Sequence, residues 1–66
     1  PMIGDSLLRA ALLHFKAAKA RAEANLDVYL ASSTGVGEHP DLVEEVIKLT
    51  KAITEAEEAI RYLEKK

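Results

Sequence analysis

Two long stretches without an internal Gly or Pro, Leu7 to Ser33 and Asp41 to Lys66, flank a single breaker-rich run, Thr34-Gly35-Val36-Gly37-Glu38-His39-Pro40. In a chain of 66 residues that punctuation permits one supersecondary unit, a helix, a turn and a helix. Ala, Leu, Lys, Arg and Glu dominate both stretches, as helix propensity requires, while Val, Ile and Thr are too scattered to build strands. The boundaries read as one domain over residues 1–66, with a helix over about 6–33, a turn over 34–40 and a helix over about 41–64.

The second stretch carries the more regular pattern. Leu42, Val46, Leu49, Ile53, Ala56, Ile60 and Leu63 follow an unbroken four-three spacing, the seam of a coiled coil. With Val46, Ile53 and Ile60 at position a, Leu42, Leu49, Ala56 and Leu63 take position d. Val43 and Ile47 widen this stripe at its start, and Ala52 and Ala59 leave a smooth shoulder where a further helix can lie close.

The first stretch repeats over the same seven residues, with Leu8, Phe15, Ala22 and Tyr29 in one row and Leu12, Leu26 and Ser33 in the next. Lys19 interrupts the second row. Eight alanines suit the middle of this helix to close approach, and the bulky residues gather at its ends. Asp5 or Ser6 is placed to cap it.

The connecting run suits an antiparallel hairpin, because Gly35 or Gly37 can take the positive φ that ends a helix and Pro40 can open the next. Asp41 with Glu44 forms a capping-box pair. Folding the chain about Val36 pairs Lys16 with Glu57 or Glu58, Glu23 with Lys48 or Lys51, and Arg9 with Glu64. Such exposed pairs contribute about 0–1 kcal/mol each and select orientation more than they stabilise.

A chain this short removes only about 60% of its unfolded surface from water on folding. Of the 48% of residues that are apolar, eleven are Ala, and no Cys offers a disulfide, a thiolate nucleophile or a thiolate metal ligand. Self-association is the remaining staple, so the expected fold class is all-α: an antiparallel two-helix hairpin that dimerises into a four-helix bundle. Pro1, standing before Met2, reads as a tag scar. Arg9, His14 and the acidic Asp5 exclude a secretory leader over Leu7–Phe15, and no apolar window is long enough to span a bilayer, so the expected location is cytoplasmic.

Nine basic against eleven acidic residues leave a net charge of −2, the wrong sign for a broad nucleic-acid-binding face. Lys16, Lys19 and Arg21 are the one basic cluster, with no aromatic among them to stack a base, so pairing within the hairpin is favoured over nucleic-acid contact. Glu38-His39-Pro40-Asp41 matches no zinc or calcium loop, and neither His14 nor His39 has a Glu three residues before it, as a di-iron bundle needs. Gly35-Val36-Gly37 is too short to cradle a dinucleotide, and no His is placed to activate Ser32, Ser33 or Thr34. No catalytic, cofactor or metal residue is assigned, and an enzyme is not expected.

The start Met2-Ile3-Gly4-Asp5-Ser6-Leu7-Leu8-Arg9-Ala10-Ala11-Leu12-Leu13-His14, with Gly35-Val36-Gly37-Glu38-His39-Pro40-Asp41, resembles short uncharacterised all-helical open reading frames of T4-like tailed phages. The resemblance implies expression in a bacterial host's cytoplasm and action by binding a phage or host protein. The expected function is thus a protein–protein interaction module. The alternatives are a nucleic-acid accessory protein acting through Lys16, Lys19 and Arg21, and an interfacial membrane helix over residues 7–22. The candidate core and dimer seam is Leu42, Val46, Leu49, Ile53, Ala56, Ile60 and Leu63 with Leu8, Leu12 and Phe15. Val36, Glu38, His39 and Asp41 are the candidate contact for an outside partner.

Overall fold

The computed structural model describes residues 3–32 and 41–66. Two α-helices, α1 (Ile3–Ser32) and α2 (Leu42–Glu64), pack against each other in a rod of 52 × 14 × 13 Å. Their antiparallel sense follows from chain geometry. The link from Ser32 to Leu42 can extend at most roughly 35 Å, whereas a parallel return would have to cover the roughly 45 Å of α1.

α1 begins at Ile3, earlier than the expected residue 6, which places Asp5 and Ser6 within the helix instead of at its cap. The Asp5 carboxylate in the first turn still complements the positive end of the helix dipole. α2 opens as its sequence predicts: Asp41 is the N-cap, and its carboxylate accepts from the Glu44 N–H at 3.0 Å. The Thr50 and Thr54 hydroxyls donate to carbonyls of their own helix, Val46 O at 2.7 Å and Thr50 O at 3.0 Å, so neither requires a partner across the hairpin.

The covered positions trace one seam on each helix. On α1 these include Leu8, Leu12, Phe15, Lys19, Ala22, Leu26 and Tyr29; on α2 they include Leu42, Val46, Leu49, Ile53, Ala56, Ile60 and Leu63. Both sets run in four-three spacing, so the two faces mesh over their common length. Among the described residues only Ala22 and Ala56 are buried, at 5% and 3% exposure, and the rest of both seams is half-buried.

The register differs from the expected one. Lys19, not Lys16, reaches Glu57, with Nζ and Oε2 3.2 Å apart. The helices therefore align residues whose numbers sum to about 76, a shift of a few residues from a fold centred on Val36. Lys48 pairs with Glu45 on its own helix at 3.9 Å, and not with Glu23. Lys66 lies level with about residue 10, so about two turns of α1 extend beyond α2. Gly35, Gly37 and Pro40, assigned to the turn, lie outside the described residues.

Candidate functional site

Each helix has two flanks beside its seam, and antiparallel packing puts like flanks on the same side. One side holds the Lys19–Glu57 ion pair, with Lys16 and Glu23 beside it on α1. Lys19 occupies a core-facing position. Its aliphatic stem covers the seam while the ammonium emerges toward Glu57, leaving the two side chains 33% and 42% exposed. The interruption in the first helix's apolar row is therefore a position where a cation is paired within the chain.

The other side is shaped by small residues. A shallow open groove of about 420 Å³ runs along it, lined by His14, Ala17, Ala18, Arg21, Ala22 and Asn25 of α1 and by Leu49 and Ala52 of α2. It forms because Ala18 and Ala52 do not fill the space between the helices that longer side chains would close. Leu7 and Val28 flank the groove row on α1, and Tyr62 lies on the same side of α2; all three are exposed. The Lys66 ammonium sits over the Tyr62 ring at 4.8 Å, and the Phe15 ring meets His14 edge-on at 5.0 Å. His14 itself remains exposed beside the half-buried Phe15.

The expected shoulder on α2 divides between the two sides. Ala52 and Ala59 border the groove side, whereas Val43 and Ile47 lie on the opposite side with Leu30 near their level. Leu13 and Ile3 are exposed further along α1. The ten candidate seam residues are half-buried except for the buried Ala56, and all but Leu8, which lies in the part of α1 extending beyond α2, are on the faces that the helices turn to each other. Of the candidate partner contact, Val36, Glu38 and His39 lie outside the described residues. Asp41 is exposed and its carboxylate caps α2.

No protein-family model, curated protein or solved structure matches this chain. The geometry itself is what bears on function. Among the described residues no group of three or more His, Asp and Glu side chains is placed to hold a metal ion, and no helix is long and apolar enough to cross a membrane. The groove is open to solvent along its length. The signal for the groove was present in the sequence as the alanines at 17, 18, 22 and 52, but only the packing of the two helices shows that they line one groove.

Proposed function

We propose that the protein is a small non-enzymatic interaction module, whose hairpins act by helix-on-helix recognition and pair with each other into a four-helix bundle. The observation that carries this reading is the surface left uncovered. The hairpin exposes 5342 Å². A compact monomer of its 7.2 kDa mass exposes about 4,100 Å² by the usual scaling of surface with mass. The excess of about 1,200 Å² exceeds the roughly 800 Å² that each partner contributes to a standard protein interface.

Pairing two hairpins gives the half-buried seams a second layer and draws exposed Leu7, Val28 and Tyr62 out of water. The charged residues along both flanks then choose partner and register. The phage resemblance adds that an outside partner would be a phage or host protein, met by surfaces the bundle leaves free.

Sedimentation equilibrium tests the reading directly. At tens of micromolar the expected result is twice the chain mass, with a melting temperature that rises with concentration, as association linked to folding requires. A species that keeps the chain mass across that range, fully helical and melting cooperatively, overturns it.

A further inference from the structure

We infer that the surface receiving the second copy is the groove side of the hairpin, and that the two copies meet with their turns at the same end, α1 of each lying over α2 of the other. The inference rests on the dimeric reading and adds which face is used and in which orientation.

The two sides of the hairpin differ in what they offer a second copy. The side opposite the groove has exposed apolar residues toward its ends, Leu13, Leu30, Val43 and Ile47, but no recess among the described residues, and it carries an ion pair across its middle, Lys19 with Glu57, flanked by Lys16 and Glu23. Docking there would take these charges from water. The groove side is recessed at its centre, where Ala17, Ala18, Ala22 and Ala52 leave space between the polar His14, Arg21 and Asn25, and it carries larger apolar groups toward its ends, Leu7, Val28 and Tyr62. A second hairpin can therefore approach closely at the centre and bury apolar side chains at the ends.

Orientation follows from symmetry and charge. A twofold axis parallel to the helices carries no shift along them, so each residue meets its partner at the level it already has within one chain. The register set by Lys19 and Glu57 places Ala18 level with Ala59, Asn25 with Ala52, and Arg21 with Glu55. With α1 over the partner's α2, Ala18 meets Ala59, Asn25 meets Ala52 and Arg21 meets Glu55, each twice by symmetry. A twofold axis perpendicular to the helices puts α1 over α1 and α2 over α2. Centred on the overlapped length, it brings Arg21 against its own copy and Glu55 against its own copy, like charge on like. Charge complementarity selects the first arrangement.

The test uses charge exchange at two exposed positions, so that folding is undisturbed, with helicity checked by circular dichroism. Arg21→Glu alone, or Glu55→Arg alone, should weaken the homodimer about tenfold or more at low salt, since each sets two like-charge contacts in the interface. An equimolar mixture of the two variants should recover a dimer close to the unaltered one, as every contact in the mixed species is again between opposite charges. Homodimers that keep their strength with either single exchange overturn the inference.

A distance measurement decides orientation independently. The chain has no Cys, so Ser6→Cys accepts a single spin label. Labels in the same-end dimer should lie roughly 25 Å apart, against roughly 45 Å or more with turns at opposite ends, from helix rise and helix spacing. The longer distance in a species of twice the chain mass overturns this orientation and leaves the interaction module standing. A species of chain mass overturns both.

Discussion

The two helices solve the same packing problem with different materials. α2 places an aliphatic residue at every position of its seam from Leu42 to Leu63. α1 keeps the same spacing but fills its centre with Lys19 and Ala22, reserving Leu8, Leu12 and Phe15 for one end and Leu26 and Tyr29 for the other. Spacing more than hydrophobicity sets which face of α1 turns inward, because a lysine stem is apolar enough to pack and long enough to deliver its charge to Glu57. The consequence is a hairpin whose centre is thin on one side and whose burial depends on α2.

The sharpest way to break that comparison is to thin α2 as α1 is already thinned. Ile53 lies level with the Ala22–Ala24 region, where no bulky neighbour is present to fill a vacancy. Ile53→Ala should cost about 2–4 kcal/mol, read from thermal or urea unfolding at fixed protein concentration. Leu8→Ala removes a similar side chain from the part of α1 that extends past Lys66, and should cost about 1 kcal/mol or less, because less of α2 faces it. Equal losses at the two sites would mean that the overhang is covered and that the register differs from the one described.

The same comparison shows why some of the molecule was legible before its structure and some was not. The helices and their hairpin order followed from where Gly and Pro fall, and the α2 seam from its spacing, because both are local properties of the chain. The register was not local. It depended on whether Lys16 or Lys19 crosses to Glu57, and a charge at a seam position reads as an interruption when only hydrophobicity is counted. The α1 start is not fixed by its best capping residues either: Asp5 and Ser6 suit a cap, yet Ile3 and Gly4 also lie within the helix. The groove could not be drawn from the alanines alone, since it exists only once Ala18 and Ala52 are known to share a side.

A smaller effect separates the helices at their starts. Asp41 caps α2 through the Glu44 N–H at 3.0 Å, whereas Asp5 lies within α1 and contributes through charge near its N-terminus. Asp41→Ala should therefore cost about 1 kcal/mol. Asp5→Ala should cost no more than about 0.5 kcal/mol and should matter less as salt rises. Hydrogen exchange localises the difference: the Glu44 and Glu45 amides should lose protection in the first variant, with the middle of α2 unchanged.

The smallest effect bears most directly on how α1 manages a lysine in its seam. If the stem's packing holds Lys19 in place, the ion pair adds little, since both side chains remain a third or more exposed and a half-solvated pair contributes only about 0–1 kcal/mol. Glu57→Gln keeps the shape of the partner and removes its charge, and should cost no more than about 0.5 kcal/mol, a loss that fades by about 0.5 M salt. Lys19→Met keeps an unbranched apolar stem without the ammonium, and should be neutral or slightly stabilising in unfolding experiments. Should Glu57→Gln instead cost more than about 1 kcal/mol independently of salt, the charge and not the stem would be what holds α1 in register. The two helices would then differ in the kind of force that places them, and not only in the residues that supply it.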